Sequence, residues 1–202
     1  MSLEEECELI IGLVFAANTN AAIGAAQSAC FLLSGLDNAL ENARRESKSF
    51  LAADRVSLSA LQRMDTVHRC VLKMLRLTTH SIGSIRVACS GMTVTEDEED
   101  KSYPIEKGEV ICISHYSINT DPNYWGDDAW EYNPDRFRIA DTDSITFKEL
   151  ERPYATFSRG THKCPGERVA MAWMKIMIAM LLSRNPELDG ELPPLSFEPA
   201  TL

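Results

Sequence analysis

From Leu9 to Leu36 the chain carries no charged residue, and Asn18, Thr19, Asn20, Gln27 and Ser28 are set among its apolar and small side chains. The pattern predicts a helix over about 8–35. Its length would cross a bilayer, but amides inside a membrane are costly. A helix apolar on all sides is what the centre of a large soluble fold requires, so the expectation is a buried core helix. A second helix is predicted over 37–52. A third is predicted over 58–77, with Leu58, Leu61, Met64, Val67, Val71, Leu72 and Leu75 near helical spacing and Ser57 as its N-cap.

Alternation over 82–94 and again over 103–113 predicts strands of a small sheet. The run EDEED at 96–100 reads as a solvated hairpin tip. Residues 122–138, rich in Pro, Asn, Asp and Trp, read as ordered coil pinned by Trp125 and Trp130. A last helix is predicted over 166–182, with Met171, Met174, Met177 and Met180 as core filler. The fold class is mainly α with a small β-sheet (α+β).

With 202 residues and 45% hydrophobic content, the chain can bury a core as one domain or one large fragment. A formal charge of −10 argues against nucleic acid as a partner, because phosphate binding needs a basic face. The start, MSLEEECELI, lacks the basic region of a secretory signal, and no membrane anchor is expected in this chain. The six cysteines show no CxxC spacing, so they read as reduced intracellular thiols, mostly small buried hydrophobes. His68, His80 and His115 lack partner spacing and are expected at surfaces or satisfied core sites.

Cys164 stands apart. Pro165 and Gly166 follow it, and then the apolar helix begins. Unpaired N–H groups and the positive end of a helix dipole at such a place favour a thiolate. A nucleophile would want a His base and an orienting group, and only His162 is near in sequence. Ligation of haem iron suits a sulfur in this setting better.

The stretch FSRGTHKCPG, Phe157 to Gly166, resembles the haem-binding loop of the cytochrome P-450 haem-thiolate family, Phe-x-x-Gly-x-x-x-Cys-x-Gly, at all four fixed positions. The resemblance implies haem b (iron protoporphyrin IX) as cofactor and Cys164 as the proximal iron ligand. It implies Phe157 packed beside the sulfur, Gly160 permitting the tight turn, and His162 near a haem propionate. Ser158 follows the Phe, where the family has a small residue. NPDRF, Asn133 to Phe137, resembles the family's meander, with Arg136 as its basic residue. VLKMLRL resembles the Glu-x-x-Arg helix, with Arg76 as the Arg. Ile82 to Arg86 resembles a strand whose Arg, here Arg86, pairs with a propionate. The helix from Leu9 resembles the distal helix over the haem. The likeness spans essentially all 202 residues as a single partial domain, the C-terminal haem-binding half of that fold.

LRLTTHSIGSIR, SYPIEKGEVICISHYSINTDPNYW and AANT resemble the branch holding sterol 7α- and 12α-hydroxylases and prostacyclin synthase. In the best register Ala17 and Asn18 occupy the places of the family's acid–alcohol pair, which makes Asn18 and Thr19 the distal-pocket candidates. An amide hydrogen-bonds well but relays protons poorly. Lys73 stands where the family has the Glu of Glu-x-x-Arg, so Lys73, Arg76 and Arg136 are expected to meet as three cations without their carboxylate. Losing one partner of a buried ion network costs about 3–5 kcal/mol.

The resemblance implies a monooxygenase that oxidises a lipophilic, sterol-like or polycyclic substrate with molecular oxygen and electrons from a reductase. It also implies endoplasmic-reticulum membrane association for a full-length form. A non-catalytic remnant and a peroxide isomerase of the prostacyclin-synthase type stay open beside it.

Overall fold

The computed structural model describes residues 2–35, 39–53, 55–79, 83–96, 101–133, 137 and 154–190. They fall in two compact units. One is drawn from Met1–Leu75, Tyr132–Ser144 and Pro165–Leu202, the other from Arg76–Glu131 and Ile145–Cys164.

In the first unit α1 runs Leu3–Leu33. Its start is fixed locally: Ser2 and Glu5 form a capping box, and Glu4, Glu5 and Glu6 face the positive end of the helix dipole. The expectation of a wholly buried core helix holds for its C-terminal half only. Ala21, Gly24, Ala25, Ser28, Ala29 and Leu32 are buried, while Leu9, Ile10, Ile11, Leu13, Val14 and Phe15 are exposed. By length and composition α1 is the one described helix that could also cross a membrane.

Helix α2 is Ala39–Leu51, and α7 is Glu167–Leu182. Both α1 and α2 pack on α7. Small residues on α1 let the backbones approach, so Met171, Met174, Ile178, Ala179 and Leu182 of α7 are buried. Met177 and Met180 are exposed, so only the first half of the Met run fills core. Phe31 stacks on Tyr132 with ring centroids 4.6 Å apart.

The single helix expected over 58–77 is two: α3, Leu58–Gln62, and α4, Asp65–Leu77. Ser57 caps α3 as predicted, its hydroxyl accepting from Ala60 N–H at 3.2 Å. The chain restarts at α4 because Glu46 of α2 supplies the second cap. The Glu46 carboxylate accepts from Thr66 N–H at 2.8 Å and Val67 N–H at 3.1 Å. No local signal announces a cap donated from 20 and 21 residues away.

The second unit holds the strands. β1 is Gly83–Val87, β2 Met92–Glu96, β3 Lys101–Ile105 and β4 Val110–Ser114. Each expected strand is thus a pair of short ones. β2 and β3 pair antiparallel, with Glu96 opposite Lys101. Residues 97–100 of the expected hairpin tip lie outside the described residues. β1 and β4 pair antiparallel, with Gly83 opposite Ser114 and Arg86 opposite Ile111. A Cβ at Gly83 would stand 2.1 Å from the Ile113 carbonyl oxygen, so this close approach of strands requires glycine. Two short helices follow, α5, His115–Thr120, and α6, Pro122–Trp125, the second of them where coil was expected.

Among the described residues all six cysteines are free, but only Cys70 is buried. The expectation of mostly buried thiols is corrected: Cys7, Cys89, Cys112 and Cys164 are exposed and Cys30 is half-buried, because they fall on exposed positions of helix, strand and loop.

Candidate functional site

The loop before α7 closes on itself. Ser158 N–H donates to Ala155 O at 2.8 Å, and Cys164 N–H donates to Phe157 O at 2.8 Å. Between them lies a 3₁₀ turn, Gly160–His162, entered through Gly160 at φ 68. That left-handed conformation is the one the fixed glycine permits. Ser158 is also left-handed, at φ 59. Phe157 is half-buried, and the Cys164 side chain is exposed and reduced. From Cys164 the chain passes through Pro165 to Gly166, the N-cap residue of α7.

Asn119, at the C-terminal end of α5, holds the other end of the loop. Its Oδ1 accepts from Ala155 N–H at 2.8 Å, and its Nδ2 donates to Thr156 Oγ1 at 3.1 Å. Arg159 Nε donates to Tyr154 O at 3.2 Å. Ser158 Oγ lies 3.1 Å from Ser84 Oγ on β1, which lies 2.8 Å from His115 Nε2. His115 is buried rather than at a surface, and its imidazolium is disfavoured first by burial and then by the nearby Arg86, so its pKa falls below the ordinary value. Neither charge nor spacing pointed to Asn119, Ser84 or His115, which lie 31 to 74 residues from their partners.

Arg76 is buried, and its guanidinium donates to the carbonyl oxygens of Asn119 and Ala129. Its central carbon lies 4.6 Å from the centre of the Trp125 ring. Two carbonyl dipoles and an aromatic face thus meet its charge. Lys73 is buried on the same helix. Arg136, the third member of the expected cation group, lies outside the described residues.

Arg86, Phe157, Gly160, His162 and Cys164 all belong to the second unit. Arg86 is half-buried and donates to its neighbour Ile85 O at 2.7 Å; His162 is exposed. Asn18 and Thr19 belong to the first unit, are exposed, and Asn18 Nδ2 donates to Val14 O at 2.8 Å within its own helix.

The exposed Cys164 thiol offers a single soft donor, which a metal already carried inside a macrocycle can accept. Among the described residues no group of three or more His, Cys, Asp or Glu could hold a bare ion, while one exposed soft sulfur stands on a loop braced by its own backbone. A single Cys thiolate is one of the ligands by which proteins hold a haem iron.

The family model for cytochrome P450 matches residues 4–189. Cytochrome P450 71A18 of Arabidopsis thaliana is 32% identical over 108 residues, covering 51% of this chain and 21% of that protein. Cytochrome P450 714B2 of Oryza sativa subsp. japonica is 28% identical over 173 residues, 85% of this chain and 30% of its own length. Beta-amyrin 24-hydroxylase of Glycine max is 35% identical over 85 residues, 41% of this chain and 16% of that enzyme. The chain therefore spans a third or less of the length of these relatives.

Proposed function

The chain belongs to the cytochrome P450 family, and on that premise we propose that its protein is a haem-dependent monooxygenase of lipophilic substrates, with Cys164 as the iron's axial ligand. The observation that carries this reading is the self-closed loop that leaves the Cys164 sulfur exposed while its N–H is held by Phe157 O. When bound, the haem, the family's cofactor, supplies the activation of molecular oxygen. Cys164 would hold the iron through its sulfur. Phe157 would pack beside the sulfur once haem is bound, Gly160 keeps the turn tight, and Arg86 and His162 would donate hydrogen bonds to the propionates. For Asn18 and Thr19, in the other unit, a distal role rests on the sequence resemblance alone; the Asn18 amide can donate or accept hydrogen bonds but relays protons poorly.

Electrons come from a reductase, and the substrate is lipophilic, sterol-like or polycyclic; the soybean relative is named as a hydroxylase of beta-amyrin. The protein works inside the cell, with endoplasmic-reticulum membrane association for a longer form. Membership of the sterol 7α/12α-hydroxylase and prostacyclin-synthase branch rests on the local sequence runs alone. A second reading, a non-catalytic remnant, is favoured by one observation: the buried Lys73 in the place of the family's Glu. Carbon monoxide added to the reduced, haem-loaded protein separates the two. The proposal expects a Soret band at the position of thiolate-ligated haem, lost in Cys164→Ala. An alanine variant that keeps the parent's band would sink the ligand assignment, and a folded parent that takes up no haem would favour the remnant.

A further inference from the structure

Ser158 carries an L side chain at φ 59, a conformation that side chains other than glycine's adopt under strain. Ser158 Oγ, Ser84 Oγ and His115 Nε2 form a string across three segments, at 3.1 and 2.8 Å. It joins the cysteine loop to β1 and to the first residue of α5.

A Ser–His pair at this distance has the spacing of a nucleophile and its base. Here it cannot act as one. His115 Nδ1 is buried and meets no partner among the described residues, so no acid orients the ring. The neighbouring Arg86 further disfavours the imidazolium that a base must form. With Nδ1 buried and unpaired, the tautomer protonated on Nε2 leaves an acceptor rather than an N–H bare, and in that tautomer Nε2–H donates to Ser84. The Ser84 hydroxyl then donates to Ser158.

The consequence reaches Cys164 through a single peptide. Ser158 N–H and Phe157 C=O belong to one planar unit, and that same carbonyl accepts the Cys164 N–H. Turning Ser158 out of its left-handed state swings the acceptor away from Cys164. We propose that Ser84 and His115 are positioning residues that hold the loop, through Ser158, in the conformation in which Cys164 ligates iron; this rests on the haem-thiolate reading above.

The test is amide hydrogen exchange in the full chain without haem, read at Cys164. Ser84→Ala and His115→Leu are each expected to speed exchange there roughly fivefold to tenfold, the effect of losing one neutral hydrogen bond on local opening. His115→Gln keeps a side-chain donor and should stay within about twofold of the parent. Ser158→Gly separates the string from backbone strain: glycine suits the left-handed site, so strain alone predicts slower exchange, whereas loss of the string predicts faster. Parent-like exchange in His115→Leu, or slower exchange in Ser158→Gly, overturns the proposal. Should Ser84→Ala not fold, the contrast between His115→Leu and His115→Gln decides in its place, and equal rates in the two sink it.

In haem-loaded protein, His115→Leu should move part of the carbon monoxide adduct away from the thiolate Soret position, and His115→Gln should restore it. A parent without a thiolate adduct refutes the haem reading and leaves the exchange result intact. A parent with one, matched by identical adducts in every variant, refutes the positioning role.

Discussion

The guanidinium of Arg76 lies over the face of Trp125, 4.6 Å from carbon to ring centre, and both side chains are buried. The indole N–H of Trp125 donates to Ile118 O at 3.0 Å, which fixes the ring beneath the charge. Where the family's sequence pattern places a carboxylate in the helix, this chain meets the arginine with an aromatic face and two carbonyls. Trp125→Leu should therefore destabilise the fold by about 3 kcal/mol or more, from lost packing and lost cation–π attraction together. Trp125→Phe keeps a ring and should cost visibly less. Urea unfolding of the two variants checks it; equal losses would show that the ring face contributes nothing to Arg76.

Glu46 caps a helix that is not its own. Glu46→Ala is expected to cost about 1–2 kcal/mol, since it strips the acceptor from Thr66 and Val67 N–H at the start of α4. Glu46→Gln keeps an acceptor oxygen and should recover part of that. Exchange of the Thr66 and Val67 amides should rise in step with the loss of stability. Unchanged protection in Glu46→Ala would mean that other groups cap α4.

His68 makes the stability of the first unit depend on pH. Its Nδ1 is shut off from solvent without a hydrogen-bond partner. Burial first, and the Lys175 charge second, push its pKa from 6.5 down to about 3. The folded state binds the proton less readily than the unfolded chain. The stabilisation is therefore complete above pH about 6.5 and is lost as pH falls towards about 3, by a few kcal/mol across that window. His68→Phe should flatten this part of the unfolding-midpoint profile. A variant profile as steep as the parent's would assign the acid sensitivity to carboxylates.

Lys175 acts in the opposite range. Buried on α7 and donating to Leu61 O at 2.8 Å, it has its pKa lowered from 10.5 to about 8, by burial against the pull of Glu46 and Asp65. Between those values the unfolded chain holds the proton and the folded one releases it, so stability rises with pH from about 8 to 10.5. Lys175→Met should remove that rise while losing the bond to Leu61. Titration of the unfolding midpoint over this range reads it directly; a rise that persists in the methionine variant would exclude Lys175 as its source.

Lys73 and Arg76 are buried three residues apart on α4 and so are neighbours on its surface. Lys73→Glu turns their repulsion into attraction and is expected to raise stability by about 1 kcal/mol or more, with greater haem retention. A lower unfolding midpoint would show that the site has been rebuilt around the lysine.

Features set by neighbours along the chain were legible in the sequence. The capped start of α3, the apolar run of α7, the paired strands around the acidic run and the glycine turn before Cys164 all follow from residues within a few positions of one another. Backbone dihedrals and N-terminal caps are short-range, so pattern and propensity suffice for them. Features that depend on what packs from afar were decided by the tertiary structure. The apolar run of α1 gave no sign that Ala21 to Leu32 would be buried and Leu9 to Phe15 exposed, because burial depends on where α7 lies. The break between α3 and α4 waited on Glu46, and the charge of Arg76 on carbonyls 43 and 53 residues away. Ser84 and His115 became part of the cysteine loop's support only when β1, β4 and α5 were brought together. A hydroxyl or an imidazole has no periodicity to betray its partner, and only the folded backbone brings the two within hydrogen-bond reach.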